Sequence, residues 1–286
     1  MRLCTMLVAA SFASAQRASL PNIILMVADD LGATDVSWRG AEFPTPHIDT
    51  LAYSGIRLEN YYVQLVCSPS RTSFLTGRYP LHTGLQHIVI WQDVNVAIDH
   101  EHPTIAEALR DTYGFTQNMM VGKWHAGHAA WNNTPPARGF EGGWYGWNGG
   151  SSDYYQHTIG AQAPKHTFKG TGYAMFDGLG PRRGIPDPVN HPESLPVPSW
   201  VEQGNYSTEL WADKAIEIID EYDFHSNPLF MYLAFQSPHA PVQWSPDETI
   251  NSACTSLTAG EGRDTFCSMV TCVRECACVA RLKQVA

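Results

Sequence analysis

The sequence predicts an α/β fold with a largely parallel central sheet, and two observations carry that prediction. Three apolar runs, 21–28, 117–122 and 228–236, show no alternation with polar residues, as strands covered on both faces do. Amphipathic segments stand ahead of the second and third runs, and helix followed by strand, twice, is the repeat of a parallel sheet. Each run ends in polar residues: Asp29-Asp30, Lys123-Trp124-His125 and Ser237-Pro238-His239. Parallel sheets bind ligands at the carboxyl ends of their strands, so one sheet edge is the expected site.

The elements follow in chain order. Met1-Arg2, an apolar stretch to Ala13 and a small-residue Ala13-Ser14-Ala15 site predict a signal peptide over residues 1–15, with a mature chain from near Gln16. That places the chain in the secretory pathway, bound for lysosome or extracellular space. No later stretch is apolar enough to span a membrane. Secretion makes Asn132-Asn133-Thr134 and Asn205-Tyr206-Ser207 glycan acceptors by motif. His102–Tyr113 predicts a helix capped by Thr104, with Glu107 three residues on and Gly114 as its stop. Thr208–Tyr222 predicts another, with Leu210, Ala215, Ile216, Ile218 and Ile219 on its apolar face. Residues 126–206, rich in Gly, Pro, Trp, Tyr and Asn, predict long loops lining a cleft. Within them Trp144-Tyr145-Gly146-Trp147 offers faces for stacking on sugar rings, or for packing among the loops.

Composition narrows the function. With 44% hydrophobic and 16% charged residues the chain can bury a sizeable core. A net charge of −10 argues against a nucleic-acid surface. An anionic substrate would then need a local positive pocket, for which Lys123, Arg71 and several histidines are candidates. The seven cysteines do not form a small disulfide framework: Cys4 lies in the signal, Cys67 stands alone, and five crowd between Cys254 and Cys278.

Two constellations carry chemistry. Two carboxylates at ~4 Å repel by about 4 kcal/mol at an effective dielectric near 20. A hard divalent cation at Asp29-Asp30 removes that cost, with calcium or magnesium favoured by oxygen ligands; the alternative is a turn with solvated acids. Cys67-Ser68-Pro69-Ser70-Arg71 predicts a helix start at Cys67, where the free N–H groups favour negative charge on a nucleophile or oxyanion. Arg71 lies one turn on. The alternative for Cys67 is a buried free thiol.

Cys-x-Pro-x-Arg with Leu75-Thr76-Gly77 following resembles the sulfatase signature. Val27-Ala28-Asp29-Asp30-Leu31-Gly32, Thr45-Pro46-His47-Ile48-Asp49, Asn60-Tyr61-Tyr62, Val121-Gly122-Lys123-Trp124-His125, Gly150-Ser151-Ser152-Asp153-Tyr154-Tyr155 and Gln236-Ser237-Pro238-His239 resemble further segments of that family, in order. Gly77-Arg78-Tyr79-Pro80 and Thr83-Gly84-Leu85-Gln86-His87 are similar to its arylsulfatase B branch. The resemblance implies an alkaline-phosphatase-like α/β fold and calcium-dependent hydrolysis of sulfate esters. It implies Asp29, Asp30 and Cys67 as metal ligands, and Cys67 as the precursor of formylglycine, made by the formylglycine-generating enzyme. As its hydrate, one hydroxyl attacks sulfur and the other expels sulfate from the resulting ester. Arg71 steadies the metal and the formylglycine oxygens, Lys123 and His239 hold the sulfate and assist the leaving oxygen, His125 assists the diol, and Ser151 contacts sulfate. The arylsulfatase B likeness implies sulfated glycosaminoglycan ends such as N-acetylgalactosamine 4-sulfate, or an aryl sulfate.

The pattern also departs from the family. Leu65 stands where a small residue or Pro is usual, and Gly114–Gly122 holds one residue more than the second signature. The family continues past the length of this chain with a strand ending in Asp-Asn-Gly and a later sulfate-binding Lys, and no Asp-Asn-Gly occurs after Pro241. The expected organisation is therefore the N-terminal part of a sulfatase catalytic domain over 16–253 and a divergent Cys-rich tail over 254–286. Its cysteines are poorly spaced for structural zinc and suit disulfides better. An inactive fragment or sulfated-glycan-binding relic is the alternative to an enzyme; a phosphoryl hydrolase with unmodified Cys67 is the other.

Overall fold

The computed structural model describes residues 20–91, 94–147, 153–159, 172–173, 175–177, 197–198, 203–257 and 260–275. The signal segment, Ser151, Cys276 and Cys278 lie outside them. Strands β1 (Ile23–Val27), β2 (Met119–Lys123), β3 (Gly143–Trp147), β4 (Thr158–Ile159), β5 (Gly172–Tyr173), β6 (Met175–Asp177), β7 (Val197–Pro198) and β8 (Phe230–Ala234) occur with helices α1 (Pro46–Ser54), α2 (Cys67–Thr76), α3 (Pro80–Thr83), α4 (Ile105–Tyr113), α5 (Ser207–Glu221), α6 (Glu248–Leu257) and α7 (Glu261–Glu275). The main sheet runs β1-β8-β2-β3-β6-β7. Its first four strands are parallel, and β6 and β7 continue it antiparallel. The expected α/β class with a mostly parallel sheet is what forms.

The apolar runs are unalternated because both sheet faces are covered. Met231 and Leu233 of β8 pack with Val121, Trp211, Ala215 and Ile219 on the α5 face. Phe230, Tyr232 and Ala234 point the other way, into a core with Met120, Trp124, Phe140 and Leu75. Helix α4 starts as expected: Thr104 accepts from the Glu107 N–H while the Glu107 side chain accepts from the Thr104 N–H, and Gly114 closes the helix in the left-handed conformation.

One expectation is corrected. Residues 126–206 are not all loop, because β3 lies within them and pairs in parallel with β2. Trp144 and Tyr145 of the aromatic cluster are buried in the two cores and are not free to stack on a sugar. The strand depends on glycine. A Cβ on Gly146 would meet the Gly122 carbonyl oxygen at 2.1 Å, and one on Gly122 the Ala234 carbonyl oxygen at 2.1 Å. Both residues have positive φ as well, so neither position accepts a side chain without strain.

The register sets the site. Val27 pairs with Ala234, and Ala234 with Gly122, so β1, β8 and β2 end side by side. Past those ends, the Asp29 N–H donates to the Ser237 carbonyl at 3.2 Å. Downstream, α6 and α7 are joined by a Cys254–Cys267 disulfide. Among the described residues no helix is long and apolar enough to cross a membrane.

Candidate active site

The carboxyl ends of β1, β8 and β2 bring Asp29, His239 and Lys123 to one edge, and α2 delivers Cys67 and Arg71 to the same place. Helix α2 begins at Cys67 with no side-chain cap on its N-terminus. Its unsatisfied N–H groups therefore sit beside the Cys67 side chain and favour negative charge there.

Asp29 is the hub. The Lys123 ammonium donates to its Oδ2 at 2.5 Å, and the Arg71 guanidinium lies 3.3 Å from the same oxygen. The other carboxylate oxygen, Oδ1, stands 3.6 Å from Cys67 Sγ, which is also 3.6 Å from Lys123 Nζ. Lys123 is fully buried and Arg71 1% exposed, so these cations act in a weakly screened setting. Burial alone would raise the Asp29 pKa. The Lys123 and Arg71 charges overturn that and hold the carboxyl well below the usual carboxylate range. Burial pushes the Cys67 thiol up, against the lowering pull of Lys123. An unmodified Cys67 is therefore a poor thiolate at neutral pH.

Arg71 is held from behind by donating to the Lys123 carbonyl at 2.8 Å and to the Tyr232 hydroxyl at 3.1 Å. His125 sits deeper, with φ 53 and Nε2 at 3.0 Å from the Ile90 carbonyl oxygen. Burial, then Lys123 and Arg71, drive its pKa well down, so the ring is neutral. His239 lies at the mouth, its Nε2 3.5 Å from Asp30 Oδ2 and its Nδ1 2.6 Å from the Ala240 carbonyl oxygen. Asp30 is in the left-handed region at φ 64 and has a 63% exposed side chain.

The donor set bears on a metal. Ligand atoms of Asp29, Cys67 and His239 all lie within 4.8 Å of one another, while Asp30 turns toward His239 beside this group. Both cations contact Asp29 Oδ2, and Oδ1 is the oxygen set against Cys67 Sγ. With an oxygen replacing sulfur at position 67, this group would offer two oxygens and the His239 nitrogen, and Asp30 stands next to it as a further carboxylate, a donor set that can take a hard divalent cation. The carboxylates alone cover a minority of the six to eight oxygens that calcium takes.

The structure thus gathers Asp29, Asp30, Cys67, Arg71, Lys123, His125 and His239. Three residues to which no site role was assigned from the sequence support them. Tyr232 puts a hydroxyl on Arg71, and Ser68 bridges Ile90 and His125. The Tyr154 hydroxyl donates to the His239 carbonyl at 2.8 Å. The one sequence signal for Tyr232 was a polar atom inside an apolar run.

Comparison with known proteins fits this geometry. The family profile described as Sulfatase matches residues 21–277. Arylsulfatase J of Mus musculus is 33% identical over 258 residues, covering 90% of this chain and 38% of that protein. An arylsulfatase of Klebsiella aerogenes is 29% identical, covering 85% of this chain and 48% of its own length. A crystal structure of Ps i-CgsB superposes with a TM-score of 0.69 at 26% identity, over 93% of this chain and 54% of that one. Its complex with k-i-k-neocarrahexaose superposes at 0.67 with the same identity and coverage. The chain spans less than half the length of these two curated relatives.

Proposed function

This chain belongs to the sulfatase family, and on that premise we propose that it carries the nucleophile side of an enzyme that hydrolyses sulfate esters. The observation that supports this most is the buried Lys123–Asp29–Arg71 cluster set against Cys67 at the N-terminus of a helix. Sulfate transfer spreads negative charge over oxygens, and fixed cations in a dry site stabilise that charge best.

In this reading formylglycine made from Cys67 supplies a geminal-diol nucleophile, and calcium held by Asp29, Asp30 and the residue-67 oxygen supplies Lewis-acid charge. The chain's own groups do the rest. Lys123 and His239 bind the sulfate oxygens, and His239, at the mouth, gives a proton to the leaving oxygen. Arg71, anchored on Tyr232 and the Lys123 carbonyl, keeps the oxygens of residue 67 in line. His125, neutral and buried, offers a ring nitrogen to a hydroxyl at position 67. Ser151 is a further sulfate contact in this proposal.

Sulfated carbohydrate is the substrate class proposed, with glycosaminoglycan ends such as N-acetylgalactosamine 4-sulfate as the specific case. The match to a protein crystallised with k-i-k-neocarrahexaose supports a saccharide. The formylglycine-generating enzyme is the proposed partner and the secretory pathway, lysosomal or extracellular, the proposed location. The Cys254–Cys267 disulfide supports an oxidising compartment.

The test compares 4-nitrophenyl sulfate with 4-nitrophenyl phosphate, using protein made with the formylglycine-generating enzyme and calcium. Cleavage of the sulfate, lost in Cys67→Ala, is expected. Preferential cleavage of the phosphate would replace the reading with a phosphoryl hydrolase. Binding of a sulfated sugar without product would replace it with a binding protein.

A further inference from the structure

We infer that Ser68 is a positioning residue that fixes His125 as its Nε2–H tautomer and ties that tautomer to the helix bearing Cys67. The inference rests on the place given to His125 in the proposed site.

Ser68 is fully buried in the first turn of α2. A serine there ordinarily turns its hydroxyl onto the helix's own free N–H groups. This one faces outward. Its Oγ donates to the His125 carbonyl at 2.9 Å and accepts from the Ile90 N–H at 2.9 Å. Ile90 closes the circuit, because its carbonyl lies 3.0 Å from His125 Nε2. Three buried residues that are 22, 35 and 57 positions apart in pairs thus hold one another in a ring.

The ring determines a proton. A carbonyl oxygen only accepts, so His125 Nε2 must carry the hydrogen. In the neutral imidazole Nδ1 is then the bare lone pair. Nδ1 is buried and has no hydrogen-bond partner among the described residues. Such an acceptor is costly unless something fills it, and a hydroxyl at the reacting end of the site suits it. His125 also holds φ 53, a conformation that a non-glycine residue keeps only where its surroundings impose it. The bond from Ser68 to the His125 carbonyl is one such restraint. Because Ser68 adjoins Cys67, any shift of the nucleophile's helix pulls on both Ile90 and His125.

The test is long-range proton–nitrogen NMR of the full chain labelled with nitrogen-15 histidine. His125→Gln assigns the signal. The wild type is expected to show a single Nε2–H tautomer at neutral pH. Ser68→Ala should give mixed tautomers and about tenfold faster exchange of the Nε2–H, the fold-change of one lost buried hydrogen bond. Ser68→Thr, which keeps the hydroxyl, should restore the wild-type pattern. If Ser68→Ala does not fold, Ser68→Cys, near in volume but a weak donor, reads the same signature. An Nδ1–H tautomer in the wild type, or an unchanged pattern in the Ala or Cys variant, overturns the inference. Sulfate ester turnover on the same samples separates the two claims. A fixed Nε2–H tautomer without turnover supports the positioning role and removes the functional reading; turnover with the other tautomer does the reverse.

Discussion

Replacing Lys123 with Met removes the ammonium while keeping most of the stem's volume in a fully buried place. Asp29, whose side chain is 8% exposed, then loses the cation that lies 2.5 Å from its Oδ2. Removing one partner of a buried ion pair costs about 3–5 kcal/mol, because the remaining charge is left uncompensated. Arg71 stays at 3.3 Å and carries part of the load, which puts the expected loss near the lower end, about 3 kcal/mol. For a chain of this size that is a fall in Tm of roughly 6–12 °C. The sign with pH follows. The folded pKa of Asp29 is depressed, so its contribution is fully present above its ordinary value of 3.8 and is lost as pH falls below it. Lys123→Met should therefore flatten the acid side of the stability profile between about pH 2 and 4. Thermal and urea melts with a chelator present read the ion pair alone. Asp29→Asn on the Lys123→Met background should cost less than the sum of the two single changes, since each relieves what the other leaves unpaired. A Lys123→Met protein that melts within about 2 °C of the wild type, or strict additivity in the cycle, would refute the reasoning.

Three further outcomes are expected. Reducing Cys254–Cys267, which links residues 13 positions apart in α6 and α7, should lower stability by about 3 kcal/mol, seen as a lower urea midpoint; no shift would count against it. Burial raises the Cys67 pKa above its ordinary value, so unmodified protein should react with iodoacetamide more slowly than free cysteine at pH 7, with a rate that still climbs at pH values where that of free cysteine has levelled off. A rate equal to free cysteine at pH 7 would contradict the burial described. Thr104→Ala removes a capping box whose hydroxyl also donates to the Arg138 carbonyl, and should cost about 1–2 kcal/mol in a chemical melt, with Thr104→Ser recovering most of it.

What the sequence made legible was local. The Thr104–Glu107 cap, the helix start at Cys67 and the three long apolar strands all depend on residues a few positions apart, and each forms within a few residues of its expected bounds. Strand β3 was not legible, because Gly143–Trp147 becomes a strand only when Gly146 lies against Gly122 of its neighbour. The site shows the same division. Its members were readable as polar residues at strand ends, but their linkage was not. Asp29 reads as a metal carboxylate, and nothing local signals that Lys123, 94 residues away, donates to it. The Arg71 contact with Tyr232 spans 161 residues and the Ser68 contact with His125 spans 57. The pairing of Cys254 with Cys267 belongs to the same class, since spacing alone leaves several pairings open.

The proposed function requires residue 67 to act as an aldehyde-derived nucleophile and not as a thiol. The most direct test is the mass of the proteolytic peptide containing Cys67, from protein expressed with its signal segment in cells that have the formylglycine-generating enzyme. The account predicts a peptide with the aldehyde in place of the thiol, trapped by hydrazide reagents and absent in Cys67→Ala. A peptide that carries only an unmodified, alkylatable cysteine would contradict it.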